Sequence, residues 1–351
     1  MRRLSKKWAN YRRRYHYLLN HERLPMGPLY MNVEPTNACN LKCRTCSIDG
    51  SRKKGMMEMG LFHDIIDQAY ACGTYEVALF LGGEPLLHKD LPDMVAYVAS
   101  KGMEARIYTN ACMLTEERSR ALIDSGLNFL GISFDGDRKE DYESMRIGAN
   151  YEEVLDNVMT FLRVKKEKGT AKPYVSLLML KMLENPDQQI SPEFEQKFAG
   201  LPIDELTVRN PHDWRGEKGD IELVGRGQHY FPCQVFWSAM SVAWDGRVVG
   251  CSADLNGTTI FGDLHDQTIM EIWNGEEMVR HRRLLKQKHY RELPLCAECR
   301  ALWSDGSPRA SVISQLPPFE QLMRVRERLR SRRDGKALDG KDAGAIRTRK
   351  R

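Results

Sequence analysis

Short apolar segments alternate with longer amphipathic segments between residues 29 and 208. The apolar segments are rich in β-branched and aromatic residues and predict six strands: Leu29–Val33, Val77–Leu81, Ala105–Thr109, Phe129–Phe134, Tyr174–Met179 and Leu206–Val208. The segments between them carry apolar residues at three- and four-residue steps and predict helices: Leu61–Ala71, Leu91–Ser100, Glu116–Ser125, Tyr151–Lys168 and Pro192–Ala199. This alternation predicts βα units in a parallel sheet, with functional residues at the carboxyl ends of the strands.

The first 28 residues predict a basic helix before the first strand. Leu4, Trp8, Tyr11, Tyr15 and Leu18 recur at three- and four-residue steps with arginine and lysine between them, which is typical of an amphipathic helix. The pattern favours a helix that packs on the rest of the protein. The alternative is a helix that lies on an anionic membrane surface, because basic amphipathic helices bind such surfaces.

The charge is unevenly distributed around a net value of +5. Residues 1–24 and 324–351 are strongly basic, so the segment between them carries a net negative charge. The basic C-terminal segment has few apolar residues and is predicted to be a disordered tail. An acidic body is a poor surface for nucleic acid, whose binding depends on phosphate contacts. The chain has no run of about 18 apolar residues and no signal peptide, and its cysteines favour a reducing, cytoplasmic setting.

Three cysteines, Cys39, Cys43 and Cys46, lie within eight residues after the first predicted strand. Thiolates suit iron–sulfur clusters, which usually take four cysteines, so this loop would leave one iron open to another ligand. A zinc loop and a disulfide framework are the alternatives. Zinc loops usually present two C-x2-C halves, and disulfide frameworks belong to short secreted chains, so the spacing favours a cluster.

The C-x3-C-x2-C loop resembles the signature of the radical S-adenosylmethionine (SAM) enzymes. The resemblance implies a 4Fe–4S cluster whose open iron binds the amino and carboxylate groups of SAM. It also implies reductive cleavage of SAM to a radical that abstracts a substrate hydrogen, and a reductant such as flavodoxin or ferredoxin. The implied fold is α/β, a partial (βα)6 radical SAM barrel with an open lateral mouth.

Other motifs gain a meaning from this resemblance. Gly82-Gly83-Glu84-Pro85 is by itself no more than a turn, but it resembles the family's GGEP motif, which implies contact with the amino group of SAM. Ser133 and Arg146 resemble the S-x-D-G…R stretch, which implies contact with the SAM carboxylate, and an arginine fork suits a carboxylate. Without that context Arg146 would be a surface ion pair. Asn110 matches the family's TN position near the active site.

A second set of cysteines, Cys233, Cys251, Cys296 and Cys299, lies in the last third of the chain. Asp245-Gly246 predicts the turn of a β-hairpin that leads to the second of them. On residue types alone, zinc and an iron–sulfur cluster are equal alternatives. The order C…G-x4-C…C-x2-C resembles the SPASM/twitch extension of radical SAM enzymes. Because no further cysteine follows, the resemblance implies a small α+β domain with one auxiliary 4Fe–4S cluster, ligated by four cysteines and suited to electron transfer.

Four residues are candidates for chemistry on the substrate. His212 and Asp213 follow the last predicted strand and offer an imidazole and a carboxylate, although an ordinary capping loop is an equal alternative. Asp135 follows the fourth strand and is a third candidate for the base. Cys112 follows the third strand, where a thiol could return a hydrogen atom to a substrate radical, although a buried structural cysteine is the favoured interpretation.

The resemblance leaves three functions open. The predicted one is abstraction of a hydrogen from a sugar, aminocyclitol or polyol, followed by oxidation with the auxiliary cluster as electron acceptor. The second is epimerisation of a sugar centre with Cys112 as hydrogen donor. The third is modification of a peptide, which the short N-terminal extension disfavours because peptide maturases often carry a leader-binding domain there. A zinc-holding scaffold would require the motif matches to be accidental.

These motifs divide the chain into four predicted segments. They are a basic extension over residues 1–28, the barrel over 29–225, the auxiliary-cluster domain over 226–315 and the tail over 316–351. The predicted partners are a small-molecule substrate and a reductant, without nucleic acid. Peripheral membrane contact through the basic ends is an open alternative.

Overall fold

The computed structural model describes residues 6–180, 189–209 and 229–304. Within these ranges the chain forms thirteen strands: β1 Tyr30–Val33, β2 Lys42–Cys43, β3 Glu76–Ala78, β4 Glu104–Thr109, β5 Phe129–Ser133, β6 Arg146–Ile147, β7 Tyr174–Leu180, β8 Glu205–Arg209, β9 His229–Tyr230, β10 Ala239–Val242, β11 Arg247–Val249, β12 Ile260–Asp263 and β13 Trp303–Ser304. The α-helices in the same ranges are α1 Lys6–Leu18, α2 Met59–Ala71, α3 Leu91–Ser100, α4 Glu116–Asp124, α5 Lys139–Met145, α6 Tyr151–Glu167, α7 Pro192–Gln196, α8 Val235–Ser238, α9 Ile269–Trp273 and α10 Glu276–Lys286. Short 3-10 helices cover Pro85–Leu87, Tyr290–Glu292 and Arg300–Leu302.

Nine of these strands form one sheet in the order β12-β11-β10-β1-β3-β4-β5-β7-β8. The six strands from β1 to β8 in this order are parallel neighbours, and each overlaps one of the six predicted strands. The predicted helices are also present, as α2, α3, α4, α6 and α7 between successive parallel strands. The prediction of βα units in a parallel sheet is therefore confirmed, and the carboxyl ends of six strands meet at one edge.

The sheet continues into the region of the C-terminal cysteines. β10 pairs in parallel with β1, in a register that runs from Tyr30↔Ala239 to Val33↔Val242. β10 and β11 form the predicted hairpin, and β12 adds antiparallel to β11. Gly246 at the turn has φ +83, a left-handed conformation that glycine adopts without a Cβ clash. The two cysteine regions therefore share one network of backbone hydrogen bonds.

Side chains alternate between two environments along the parallel strands. In β4, Ala105, Ile107 and Thr109 are buried on the side where α3 packs. Burial of the Ile107 side chain contributes about 2 kcal/mol to folding. The opposite side of the strands is accessible to solvent, and we call it the inner face; it includes Glu76, Phe80, Arg106, Tyr108, Phe129 and Tyr174.

The N-terminal helix α1 is present as predicted, but a different face of it is buried. Arg13 and Tyr17 are less than a tenth exposed, whereas Tyr15, which belongs to the predicted apolar face, is 46% exposed. Tyr17 donates a hydrogen bond to the Pro232 carbonyl at 2.7 Å, and Arg13 donates one to the Gly27 carbonyl. The helix packs through polar side chains that find carbonyl acceptors, which an apolar pattern does not reveal. No helix in the described ranges is long and apolar enough to cross a membrane, and contact of the basic ends with a membrane surface stays a prediction.

Buried polar groups attach the segment after α1 to the C-terminal region. The Asn274 side chain accepts a hydrogen bond from the Leu24 amide at 2.8 Å and donates one to the Leu24 carbonyl at 3.0 Å. The Arg282 guanidinium lies 4.4 Å from the centre of the Trp273 ring and donates to the carbonyls of Trp273 and Glu22, both at 2.8 Å. Burial lowers the pKa of Arg282 to about 9. These contacts make residues 22–24 part of the same packed body as α9 and α10.

Candidate active site and cluster-binding loops

The first cysteine loop lies beyond the carboxyl end of β1. Cys39, Cys43 and Cys46 are free thiols, and each is partly accessible. The Cys46 amide donates a hydrogen bond to the Cys43 carbonyl at 3.1 Å, which closes a turn between the last two cysteines. β2 pairs antiparallel with β6, and this register sets Cys43 opposite Arg146. The Arg146 Nη1 atom lies 3.7 Å from Cys43 Sγ, where a positive charge favours the thiolate.

Asp135 holds Arg146 at this loop. Its Oδ2 atom lies 2.6 Å from Arg146 Nη2 and accepts a hydrogen bond from Nε at 2.8 Å. Its Oδ1 atom accepts from the Leu180 amide at the end of β7, at 3.1 Å. Burial disfavours the charge of Arg146, but the attraction of Asp135 and Cys43 outweighs burial and raises its pKa. Both oxygens of Asp135 are engaged and the residue is 1% exposed, so it acts as an anchor here, and its role as a base stays a prediction.

The glycine turn after β3 packs on the residues that lead into the cysteine loop. A Cβ on Gly83 would lie 2.2 Å from the Thr36 carbonyl oxygen and 2.6 Å from the Ala38 carbonyl oxygen. Since both neighbours are backbone atoms, only glycine allows this approach. The Glu84 amide then donates a hydrogen bond to the Ala38 carbonyl at 2.8 Å. The turn is therefore bonded to the residue that precedes the first cysteine.

The side chain of Glu84 links this turn to the end of β4. Its carboxylate accepts hydrogen bonds from Thr109 Oγ1 at 2.6 Å and from the Asn110 amide at 2.7 Å. Burial raises the pKa of Glu84, whereas these hydrogen bonds favour its charged form. Both oxygens are thus bound by donors of the chain itself. Contact between SAM and the Gly82–Pro85 turn stays a prediction.

Asn110 and Cys112 lie beside the first cysteine loop. Asn110 Nδ2 donates a hydrogen bond to Asn40 Oδ1 at 2.9 Å and lies 4.0 Å from Cys39 Sγ. Ala111 has φ +60, so the chain turns sharply between the two residues. The Cys112 thiol is hydrogen-bonded to the Asn40 side chain, and burial raises the pKa of Cys112 to about 11. The thiol therefore keeps its hydrogen at neutral pH.

The other predicted site residues have fewer described contacts. Ser133 is the last residue of β5, is partly accessible and pairs in register with Leu178 of β7. This position is at the same edge of the sheet as the cysteine loop. His212 and Asp213 lie outside the described residues, and their roles stay predictions.

The second cysteine set is assembled by backbone pairing outside the main sheet. β9 precedes Cys233 and β13 follows Cys299, and the two strands pair antiparallel. The Cys299 amide donates a hydrogen bond to the Cys296 carbonyl at 3.1 Å, which closes the C-x2-C turn. Burial, and to a smaller extent the nearby thiols of Cys251 and Cys299, raise the pKa of Cys233 to about 12. The pairing of β9 with β13 brings the segments of Cys233 and Cys299 together, although they lie far apart in sequence.

Both donor sets fit iron–sulfur clusters. Each set consists of free thiols, and thiolate is the ligand that such clusters take. The first set has three thiols and would leave one iron of a four-iron cluster without a protein ligand, whereas the second would supply four thiolates. Among the residues that the structure describes, no three side chains of the metal-binding types converge closely enough to hold a single metal ion. A four-iron cluster is larger than one ion and holds its thiolates farther apart.

Sequence reasoning missed Glu34, which lies between β1 and the first cysteine loop. Its buried carboxylate forms an ion pair with Arg52 at 2.5 Å and accepts hydrogen bonds from the amides of Gly82 and Trp244, at 3.1 and 3.0 Å. The signal in the sequence was its place directly after a predicted strand, because functional residues gather at strand ends. Nothing in the local sequence indicated Arg52 as its partner.

The inner face carries aromatic rings beside charged groups. Four rings form a row across neighbouring strands, with centres 5.5 to 5.9 Å apart: Phe80, Tyr108, Phe129 and Tyr174. Arg106 lies 3.9 Å from the centre of the Phe129 ring and pairs with Glu76 at 3.0 Å. A Cβ on Gly131 would lie 2.4 Å from the Tyr108 ring, so glycine makes room for this row. The face therefore combines flat apolar surfaces with polar groups that hydrogen-bond.

Known protein families match the two regions of the chain that carry the cysteine sets. The profile of the radical SAM superfamily matches residues 33–190, and that of the SPASM iron–sulfur cluster-binding domain matches residues 233–300. The chain is 24% identical over 314 residues to the tungsten-containing aldehyde ferredoxin oxidoreductase cofactor-modifying protein of Pyrococcus furiosus, covering 77% of this chain and 86% of that protein. It is 23% identical over 296 residues to the PqqA peptide cyclase of Gluconobacter oxydans, covering 72% and 78% of the two chains.

Solved structures share the fold. SuiB of Streptococcus suis bound to the precursor peptide SuiA aligns with a TM-score of 0.60 and 17% identity, over 78% of this chain and 70% of that chain. BtrN in complex with AdoMet and 2-DOIA aligns with a TM-score of 0.51 and 19% identity, over 78% of this chain and 93% of that chain. These likenesses confirm the predicted architecture of a partial radical SAM barrel followed by a SPASM domain.

The two profiles coincide with the two cysteine sets. The first begins at Val33, just before the C-x3-C-x2-C loop, and the second begins at Cys233 and extends one residue beyond Cys299. The cofactors are therefore a SAM-binding 4Fe–4S cluster, SAM itself and an auxiliary iron–sulfur cluster. On the agreement of loop geometry, strand order and sequence profile, this chain belongs to the radical SAM superfamily, in the group of enzymes that carry a SPASM domain.

Proposed function

We propose that this enzyme oxidises a small hydroxylated substrate, a sugar, an aminocyclitol or a polyol, at a carbon that bears a hydroxyl group. The observation that carries the proposal is the part of the inner face nearest the carboxyl ends of the strands. The ring faces of Phe80, which follows β3, and Tyr108, near the end of β4, suit the C–H groups of a sugar ring, and neighbouring polar side chains suit its hydroxyls.

The reaction converts a CH–OH centre into a carbonyl. The carbon loses one hydrogen atom, the oxygen loses one proton, and one electron leaves the substrate. When bound, the first cluster and SAM supply a radical that takes the hydrogen atom, and the auxiliary cluster supplies an acceptor for the electron. Arg146, held beside Cys43 by Asp135, offers a guanidinium for the SAM carboxylate. His212 and Asp213 are the candidates that take the hydroxyl proton.

Epimerisation is a second candidate, and the place of Cys112 favours it. The thiol is hydrogen-bonded to Asn40 in the first cysteine loop, close to where a substrate radical would form. Transfer of the thiol hydrogen to the opposite face of that carbon would leave a sulfur radical. One electron from the reductant and one proton from solvent would restore the thiol, so the net reaction is redox-neutral for the substrate.

A peptide substrate is the third candidate. The similarity to the PqqA peptide cyclase extends over 72% of this chain, and the SuiB structure that shares its fold holds a precursor peptide. These are properties of those proteins, and they support a test with peptides. The row of rings on the inner face would also suit an aromatic peptide side chain.

Substrate-dependent cleavage of SAM distinguishes the three candidates. Anaerobically reconstituted enzyme is incubated in D2O with dithionite, SAM and either a panel of polyols and aminocyclitols or a panel of peptides. We expect a hydroxylated substrate to raise 5′-deoxyadenosine formation above the substrate-free rate and to lose two hydrogens. A product that gains a solvent deuteron without net oxidation would indicate epimerisation. Stimulation by peptides alone would contradict the proposed substrate class.

A tyrosine on the inner face tests where the substrate binds. Tyr108→Phe removes a hydroxyl that accepts a hydrogen bond from Arg106 at 3.1 Å. We expect KM to rise about fivefold, the effect of one lost hydrogen bond, with little change in unfolding temperature. Tyr97→Phe is the matched control, because Tyr97 lies on α3 and bonds Asp67 at the surface. Equal KM values for both variants would exclude the inner face as the binding surface.

A further inference from the structure

The segments that follow Cys46 and Cys251 are bonded directly to each other. Asn256 Nδ2 donates a hydrogen bond to the Ser47 carbonyl at 2.9 Å, and Asn256 Oδ1 accepts one from the Asp49 amide at 3.1 Å. Ser47 is the residue next to Cys46, and Asn256 lies in the loop that begins at Cys251. One side-chain amide therefore pairs with the backbone of the first cluster loop as a neighbouring strand would.

Apolar packing joins the same segments. Leu81, Ala243, Val249 and Leu255 form one buried cluster, and Ile48 packs against it. These residues come from the segment after the first cysteine loop, from the segment before the glycine turn, and from both sides of Cys251. Because packed interiors transmit displacement, movement of one segment displaces the others.

Glu34 and Arg52 connect these segments electrostatically. The Glu34 side chain is fully buried and receives both terminal nitrogens of Arg52, at 2.5 and 3.0 Å. Its carboxylate also accepts hydrogen bonds from the amides of Gly82 and Trp244, so that each of its two oxygens has two donors. Arg52 Nη1 donates in addition to the Leu255 carbonyl at 3.0 Å. A buried carboxylate bound by a forked cation and two amides is costly to displace, because its charge would be left unpaired.

We propose that Arg52, together with Glu34 and Asn256, is a positioning group that couples the auxiliary-cluster loop to the SAM site. Displacement of the loop after Cys251 reaches Gly82 through Arg52 and Glu34, and Gly82 lies in the turn that the family resemblance places at SAM. Coupling of this kind is reciprocal, so SAM binding also alters the surroundings of the auxiliary cluster. The inference rests on the cofactors and not on the proposed substrate, so either can fail without the other.

Arg52→Lys in the reconstituted holoenzyme tests the coupling. Lysine keeps the charge but has no fork, so it cannot hold Glu34 and the Leu255 carbonyl together. The dissociation constant of SAM is measured by titration of the EPR spectrum of the reduced first cluster. The auxiliary cluster's EPR signal and midpoint potential are recorded with and without SAM. We expect SAM to bind about tenfold more weakly, and the SAM-dependent change at the auxiliary cluster to be lost.

Asn256→Ala and Arg163→Lys complete the design. Asn256→Ala removes the side-chain amide that bonds Ser47 and Asp49 but leaves Glu34 and its partners in place. We expect SAM binding to weaken and the SAM-dependent change at the auxiliary cluster to shrink, both less than in Arg52→Lys. Arg163→Lys alters an exposed arginine that pairs with Asp156 at 3.0 Å, and it should leave both the SAM affinity and the response of the auxiliary cluster unchanged. Wild-type SAM affinity in both Arg52→Lys and Asn256→Ala would overturn the proposal. So would weaker SAM binding with an unchanged response of the auxiliary cluster, or the absence of such a response in the wild-type enzyme.

Discussion

The two cysteine sets offer the same kind of ligand but are built in different ways. Cys39, Cys43 and Cys46 lie in one short loop, which is shaped by the end of β1, by one turn and by the pairing of β2 with β6. The pairing of β9 with β13 brings together the segments that carry Cys233 and Cys299, and the hairpin of β10 and β11 leads to Cys251, which lies between them in sequence. The first set is local in sequence, whereas the second depends on tertiary structure.

The groups around the sulfur atoms also differ between the two cysteine sets. Arg146 and Asn110 lie at the sulfur atoms of the first loop, at 3.7 Å from Cys43 and 4.0 Å from Cys39. Burial raises the pKa of Cys43 to about 11, although the charge of Arg146 opposes the rise. In the second set burial raises the pKa of Cys233 to about 12, and the other thiols add to it. Polar donors at the sulfur atoms suit a cluster that binds a charged ligand, and in the second set only Cys296 is less than a tenth exposed.

Removal of the first set should have the largest effect. We expect a Cys39/Cys43/Cys46→Ala variant to fall from about eight irons to about four and to lose SAM cleavage completely, because one cubane lacks its ligands. Iron, sulfide and 5′-deoxyadenosine are measured after anaerobic reconstitution. Cys72→Ala, which changes a partly buried cysteine outside both sets, is the control and should keep both activity and iron. Loss of all iron in the triple variant would show that the two sites do not load independently.

Removal of cysteines from the second set should separate substrate oxidation from SAM cleavage. We expect a Cys296/Cys299→Ala variant to lose about half of its iron, to retain part of its SAM cleavage and to lose substrate oxidation. The measurements are iron content, 5′-deoxyadenosine and oxidised product in the same samples. Full retention of oxidised product would exclude the auxiliary cluster as the electron acceptor, because the oxidation would then proceed without it.

A pair of glycine substitutions compares how rigid the two regions are. A Cβ on Gly83 would meet two carbonyl oxygens of the backbone, whereas a Cβ on Gly250 would meet the Leu295 side chain at 2.3 Å. A side chain moves more easily than backbone, so we expect Gly83→Ala to lower the free energy of unfolding by about 3 kcal/mol and Gly250→Ala by about 1 kcal/mol. Gly60→Ala, with open space at the Cβ position, is the control for denaturant titration. Equal losses would mean that the backbone around Gly83 adapts.

Much of the fold could be predicted from local pattern. The six parallel strands, the helices between them and the hairpin at Asp245-Gly246 are all present, because each depends on the periodicity or turn chemistry of a short segment. The buried face of α1 was predicted wrongly. Arg13 and Tyr17 are buried there because Gly27 and Pro232 supply carbonyl acceptors from other parts of the chain.

The residues of the candidate site also divide into those that local sequence predicts and those that depend on distant contacts. The cysteine sets could be found from residue type and spacing, since ligand chemistry limits both, whereas the Gly82–Pro85 turn gained a predicted role only from the family resemblance. The ion pair of Glu34 with Arg52 could not, because an arginine 18 residues away gives no signal that it will be the partner. The contact of Asn256 with Ser47 spans 209 residues and was equally invisible.

By itself, the sequence determined the six parallel strands, the helices between them and the two sets of candidate ligand thiols, because propensity, turn geometry and ligand spacing act over a few residues. Only the tertiary structure decided that β10 joins β1, so that both cluster regions share one sheet. It also decided that Glu34 has four donors from three segments. The physical reason is that buried charge requires partners, and packing alone settles which distant groups supply them.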